Sequence, residues 1–214
     1  PEPLVFKPRF DPTTSGSDRV LIGEDLRYRF GERVLFEHVD CEVYPLSRIV
    51  LTGANGAGKT TLLNLLAGQL PLQTGTIRLA PNITLGLLAQ EYQRADPHLS
   101  LLDVYRAQRQ GFDKDVINEL IWSGLFKYDE IQRPVGSVSV GQYHKLQLAF
   151  LLAHKANVLL LDEPTNHFSF DVLEQLEAAL RSFRGAIIAI SHDRRFIQQF
   201  GGEQWHLANG RLHK

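Results

Sequence analysis

The run Gly53-Ala54-Asn55-Gly56-Ala57-Gly58-Lys59-Thr60 follows an apolar, strand-like segment (Ile49-Val50-Leu51) and opens a helix-like one, Thr61 to Ala67. Strand, glycine-rich loop and helix in direct succession confine the chain to a few α/β architectures, because such a loop works only where a sheet delivers it to a helix N-terminus. The glycines let the backbone curl until successive N–H groups face one concavity. The helix N-terminus adds partial positive charge, and Lys59 adds a full one. Thr60 sets a hydroxyl where a Mg2+ bridging two phosphates would lie. Gly53, Asn55, Gly56, Ala57, Gly58, Lys59, Thr60 and Thr61 are therefore expected to hold the phosphates of a nucleoside triphosphate.

The rest of the chain supplies the layers that such a loop needs. Residues 1–19, rich in Pro, Ser and Gly and without periodicity, read as a linker. From about Val20 to Tyr44 two strand-like runs flank the turn Gly31-Glu32, which predicts an antiparallel β layer. Further strands are expected at Gly75–Leu79 and Ile83–Leu88. Apolar spacing over Leu101–Gln110 and Val116–Leu125 predicts an α-helical lobe inserted at about 91–140. A helix over Tyr143–His154 leads into Val158–Leu161, an apolar run of the kind buried on both faces of a parallel sheet. A helix (Val172–Ser182), a strand (Ala186–Ile190), a short helix and a hairpin (Gln204–Leu207, Arg211–His213) follow. The expected fold is α/β: a P-loop NTPase core with a parallel sheet, an antiparallel β layer and the inserted helical lobe, as one domain over 20–214.

A net charge of −1 and a pI near 6.8 argue against nonspecific nucleic-acid binding, though not against a local basic face. No apolar run reaches the roughly 18–20 residues that cross a bilayer, and no leader-like pattern precedes the fold. Cys41 reads as a small apolar strand residue. A chain of 214 residues that starts at Pro1 and has no Met is expected to be a piece of a longer one.

Two further motifs follow the loop. Val158-Leu159-Leu160-Leu161-Asp162-Glu163 is a buried strand that ends in two acids. Asp162 would hold Mg2+ beside the loop, and Glu163 would reach the water that attacks the terminal phosphate, since phosphoryl transfer needs chiefly positioning and charge neutralisation. The bland alternative is a strand end with solvated acids. Val138-Ser139-Val140-Gly141-Gln142 opens a helix, and taken alone it is an ordinary N-cap, with Ser139 bonding the first free amides.

Taken with the loop and the acidic pair, that last motif resembles the signature sequence of ATP-binding-cassette ATPases, usually Leu-Ser-Gly-Gly-Gln. Gln90 at a strand end resembles the family's glutamine loop, and Ser191-His192-Asp193 its switch histidine. Phe30 stands where an aromatic stacks on adenine, with Tyr28 on the same strand face as the fallback. The resemblance covers about Val20 to Lys214, with every element in the family's order. It implies that ATP and Mg2+ are the cofactors and that Thr60, Gln90 and Asp162 surround the metal. It further implies that Glu163, His192 and Lys59 carry the hydrolysis. Cassettes of this family pair head to tail, so Ser139, Gly141 and Gln142 would act on a second cassette's nucleotide, making a dimerisation switch. Thr165-Asn166-His167 after the acids, and Ser191–Phe196, look like the F subfamily, whose members carry two cassettes on one chain without membrane domains and act on ribosomes. The resemblance thus implies the second cassette of a cytoplasmic translation factor or antibiotic-resistance protein. The alternative is the motor that drives a membrane transporter subunit. Val140 and Ser169 depart from the family pattern, and the neighbouring Asp171 is out of register to replace the aspartate missing at Ser169.

Other residues are expected to be structural. His38, His98, His144, His154 and His206 lack metal-ligand spacing. Trp122 reads as core, and Arg94, Arg106 and Arg109 as a solvated helix face rather than an RNA contact. His167 is either a subfamily marker or a packing residue.

Overall fold

The computed structural model describes residues 19–88, 96–108, 117–118, 120–121, 125–153, 156–166, 168 and 170–214. Strands β1 (Leu21–Phe30) and β2 (Arg33–Val43) form the expected hairpin around Gly31-Glu32. Strand β3 (Arg48–Thr52) then runs into the glycine-rich loop and helix α1 (Lys59–Leu66). The helix starts at Lys59, earlier than the apolar spacing from Thr61 indicates, with Gly58 at its N-cap at φ 99°. Strands β4 (Thr74–Leu79) and β5 (Leu85–Leu88) come next, followed by helices α2 (Leu101–Gln108), α3 (Tyr128–Ile131) and α4 (Val140–Ala153). The chain continues through β6 (Val158–Asp162), α5 (Phe170–Ser182), β7 (Ala186–Ile190) and α6 (Arg194–Phe200), and ends with β8 (Glu203–Ala208) and β9 (Arg211–His213).

The described residues fall into two compact units. Of the described residues, the α/β unit takes 19–88, 156–164 and 184–214, and the helical unit takes those between 96 and 153 and between 165 and 183.

In the α/β unit a six-stranded sheet has the order β5-β6-β7-β3-β8-β9, parallel except for the terminal β8–β9 hairpin. Every residue of β6 and β7 is buried, as strands covered on both faces must be. A second, antiparallel sheet has the order β2-β1-β4. β4 joins it by a pairing that runs from Leu21↔Leu79 to Arg27↔Thr74. One apolar cluster links the two sheets through α1: Leu62, Leu63, Leu65 and Leu66 pack with Phe36 and Val39 of β2, Ile49 and Leu51 of β3, and Trp205 of β8. Cys41 belongs to this cluster, and burial pushes its thiol up to about 11, which suits an apolar role. Asn157 fixes how β5 and β6 begin: its side-chain oxygen accepts from the Thr84 N–H (2.8 Å), and its backbone N–H donates to the Thr84 carbonyl (3.0 Å).

In the helical unit the helix starts are tied by side chains. The Ser100 hydroxyl accepts from the Asp103 N–H (3.0 Å) at α2, and the Glu130 carboxylate accepts from the Lys127 N–H (2.8 Å) at α3. Tyr105 of α2 stacks on Phe150 of α4 with centroids 4.9 Å apart.

Gly201 and Gly202 end α6 with positive φ (67° and 91°), but their surroundings differ. A Cβ on Gly201 would meet nothing, whereas one on Gly202 would run into the Arg48 carbonyl oxygen. Gly201→Ala should therefore cost about 1–3 kcal/mol, because φ 67° with ψ −167° is a conformation essentially reserved for glycine. Gly202→Ala should cost about 3 kcal/mol or more, because the backbone must also move. Urea midpoints at unchanged m-value would measure both, and equal losses would contradict the predicted clash.

Candidate functional site

The register of the parallel sheet puts the candidate residues on one edge. Leu51 pairs with Ile190, and Ile190 with Asp162, so the loop leaving β3, the turn leaving β7 and the acids ending β6 share the carboxyl end of the sheet, where open α/β sheets bind ligands. A cavity of about 510 Å3 lies there, lined by Phe30, Asn55, Gly56, Gly58, Lys59, Thr60, Thr61, Asp162, Glu163 and His192 among others. That volume is in the range of small-molecule sites. Gly53 and Ala57 shape the loop without lining this cavity. Gly53 sits at φ 147°, and an added Cβ would meet the Leu207 carbonyl oxygen.

Lys59 is 8% exposed. Its ammonium donates to the carbonyls of Gly53 (2.9 Å) and Ala54 (3.0 Å), curling the loop around its own charge. Burial lowers its pKa, and the negative charges of Glu163 and Asp162 oppose that shift. Asp162 is 4% exposed, and neither carboxylate oxygen has a hydrogen-bond partner among the described residues. Burial pushes its pKa up, against the pull of the Thr60 hydroxyl and the Lys59 ammonium. Two orphaned carboxylate oxygens with a hydroxyl beside them form a hard-oxygen donor set that fits Mg2+. No group of three or more His, Cys, Asp or Glu able to hold a metal occurs among the described residues. A cation here would therefore complete its shell with phosphate and water oxygens, as Mg2+ does.

Glu163 takes a left-handed backbone, φ 49°, with its N–H donating to the Ile190 carbonyl (3.0 Å). A non-glycine residue in that region stores strain, which is common at functional positions. Its carboxylate lies 3.6 Å from His192 Nε2. Burial raises the Glu163 pKa, and the His192 charge opposes the rise. His192 is presented by a braced turn: the buried Ser191 hydroxyl accepts from the Asp193 N–H (3.1 Å), and Asp193 caps α6 through the N–H groups of Arg195 (2.8 Å) and Phe196 (3.2 Å).

Phe30 is 58% exposed at the rim, while Tyr28 is 7% exposed and presents its ring to Phe30 edge-on (5.4 Å, 75°). Tyr28 is a core residue that props Phe30. Arg33, Leu35 and Ile190 also line the cavity, and the sequence reading did not single them out. For Arg33 the signal was available: a two-residue turn at Gly31-Glu32 pairs Phe30 directly with Arg33.

Ser139, Gly141 and Gln142 belong to the helical unit, at the start of α4. Ser139 and Gln142 form a reciprocal cap: the Gln142 N–H donates to the Ser139 hydroxyl (3.2 Å), and the Ser139 N–H donates to the Gln142 side-chain oxygen (3.1 Å). Gln90, Arg94, Arg109, Trp122, His154, His167, Ser169 and residues 1–18 lie outside the described residues. Arg106 pairs with Asp103 (3.4 Å) and His38 with Asp25 (2.6 Å), while His206 meets the Thr52 hydroxyl (3.0 Å). His144 meets the Asn166 carbonyl (3.5 Å).

The sequence profile of the ABC transporter family matches residues 36–166. Relatives include the tylosin resistance ATP-binding protein TlrC of Streptomyces fradiae, 37% identical over 163 residues that cover 76% of this chain and 29% of that protein. The probable ATP-binding protein YheS of Escherichia coli (strain K12) is 36% identical over 200 residues, 90% of this chain and 30% of that protein. The ATP-binding protein Uup of Caulobacter vibrioides is 35% identical over 192 residues, 87% and 31%. The chain thus spans about three-tenths of the length of these relatives. These three are ATP-binding proteins by name, consistent with a cassette of the F-subfamily type. Among solved structures, the dimeric ATP-binding cassette MJ0796 in a post-hydrolysis state with ADP and Pi superimposes with TM-score 0.75 at 17% identity, covering 91% of this chain and 97% of that one. A metal-chelate type ABC transporter in an inward-facing conformation gives 0.70 at 20%, covering 91% and 82%. At those identities the likeness concerns fold.

The raised pKa of Asp162 has a consequence for stability. A carboxyl whose folded pKa lies above its unfolded value destabilises the fold once ionised, and the cost vanishes as pH falls below the ordinary 3.8. Asp162→Asn should therefore raise the Tm of the nucleotide-free protein at pH 7, by about 2–4 °C per kcal/mol relieved. The gain should shrink as the pH is lowered toward about 4. Scanning calorimetry across that range checks it, and a lower Tm for Asp162→Asn at pH 7 would contradict the desolvation argument.

Proposed function

This chain belongs to the ATP-binding-cassette family, and on that premise we propose that it is a Mg2+-dependent ATPase cassette that closes on a second cassette when ATP is bound and reopens after hydrolysis. One observation carries the reading: Phe30, Lys59, Thr60, Asp162, Glu163 and His192 line a single cavity, while the signature residues Ser139, Gly141 and Gln142 belong to the other unit. Phe30 stacks on adenine, and the amides of Asn55–Thr61 with Lys59 hold the phosphates. Thr60, Gln90 and Asp162 would hold the Mg2+, which neutralises charge on the phosphates. Glu163 orients the attacking water and takes its proton; burial strengthens it as a base by raising its pKa. His192, half-exposed beside Glu163, reaches the terminal phosphate. Ser139, Gly141 and Gln142 act in trans on the partner's nucleotide. Hydrolysis removes the contacts that favour closure, so the cycle is a switch.

The partner is a second cassette, on the same polypeptide or as a homodimer, and the setting is a cytoplasmic, ribosome-associated translation factor or antibiotic-resistance protein. Thr165-Asn166-His167 and the resistance role in TlrC's name support it. No helix among the described residues is long and apolar enough to cross a membrane. Cosedimentation of the full-length protein with ribosomes in ATP but not ADP is the expected outcome. Copurification with a membrane subunit instead would favour the transporter motor.

Glu163→Gln should keep ATP affinity within about threefold while lowering turnover by roughly 10²–10⁴, since the amide retains shape and loses the base. Calorimetry and phosphate-release assays separate the two effects, and wild-type turnover would mean that another group is the base. Ser139→Arg should abolish activity, and mixing it with Lys59→Ala chains should restore a composite site. Full activity in Ser139→Arg alone would rule out trans action.

A further inference from the structure

Arg33 opens β2 directly opposite Phe30 across the two-residue turn, and both line the cavity. Its guanidinium donates to the carbonyl of Gly56 at 3.2 Å. This fixes where the charge sits along the site. Arg33 is held beside Phe30 and the loop, while Lys59, Asp162 and Glu163 act on one another's charge and Glu163 lies beside His192. A cation beside Phe30 and anchored on the loop at Gly56 therefore sits where the proposed base platform meets the loop. The bond to Gly56 uses one of five guanidinium N–H donors, and it is the one side-chain hydrogen bond of Arg33 among the described residues. The remaining donors, on an exposed side chain, are available to an oxyanion in the cavity.

We propose that Arg33 binds the α-phosphate of the nucleotide, making this cassette's affinity depend on a contact that ATP, ADP and AMP share and adenosine lacks. The proposal rests on the nucleotide-site reading above and adds a subsite to it. Bound at the α-phosphate, Arg33 closes the loop over the nucleotide from the base side while Lys59 holds it from the terminal side. It does not discriminate ATP from ADP. It discriminates nucleotides from nucleosides.

The test is competition against a fluorescent ADP by ATP, ADP, AMP and adenosine in wild type, Arg33→Ala, Arg33→Lys and Lys59→Ala. Arg33→Ala should weaken ATP, ADP and AMP by about three- to tenfold each, the size of an exposed charge-assisted contact, and leave adenosine unchanged. Arg33→Lys should recover part of the loss, and added salt should narrow the gap to wild type. If ATP and ADP weaken but AMP does not, Arg33 only braces the loop through Gly56, and the proposal fails. If adenosine weakens equally, the side chain supports the base platform, and the proposal fails again. Unchanged affinity for all four also overturns it. Lys59→Ala separates the two levels: it should weaken ATP and ADP whatever Arg33 does, and if it does not, the nucleotide-site reading itself falls. Melting of nucleotide-free Arg33→Ala at the wild-type temperature assigns the losses to binding rather than folding.

Discussion

The whole site depends on the parallel pairing of β7 with β3 on one side and β6 on the other. That pairing aligns Leu51, Ile190 and Asp162 in one row and sends three loops off the same edge. It holds because β6 and β7 are apolar throughout and buried on both faces, so a slip in register would expose backbone hydrogen-bonding groups with no water to receive them. A rigid sheet edge is what allows Lys59, at the start of the helix that follows β3, and Asp162, at the end of the non-neighbouring β6, to influence each other's ionisation.

The α/β unit also concentrates electrostatic stress at the candidate site. Lys59 curls onto loop carbonyls, Asp162 keeps both oxygens unbonded, and Glu163 holds a backbone conformation unusual for its side chain. The Asp162 and Glu163 features cost stability in the isolated fold, and bound phosphates and a cation would relieve or exploit them. Elsewhere in the unit polar groups are paired closely, as at Asn157.

What could be read from the sequence was local. The loop, the buried strand with its acids, the hairpin at Gly31-Glu32 and the strand Ala186–Ile190 each announce themselves within a few residues, because glycine conformations and double-sided burial leave short signatures. Long-range choices left no such trace. Nothing near Thr74–Leu79 says that β4 joins β1 rather than the parallel sheet. The positive φ of Asp25 and His38 accompanies register shifts that alternation alone does not foresee. Tyr28 and Phe30 look equivalent by strand period, and they differ only because β1 runs past its cover near its end. Arg33 was half legible: the two-residue turn pairs it with Phe30, but its bond to Gly56 shows only once a loop from elsewhere in the chain lies beside it.

The reciprocal cap at the start of α4 carries an implication for timing. Ser139 and Gln142 satisfy each other, so their helix end is complete before any second cassette approaches. If a phosphate oxygen took the Ser139 N–H in the proposed closure, the Gln142 carboxamide would have to let go of it. One hydrogen bond is exchanged for another, and the count hardly changes. What changes is that the new acceptor is charged, and a charge at a helix N-terminus also gains from the helix dipole. The latch between two cassettes would then be nearly neutral in hydrogen bonds and driven by the phosphate's charge. Such a latch releases once that charge departs with the cleaved phosphate, without any need to melt the helix that carries it.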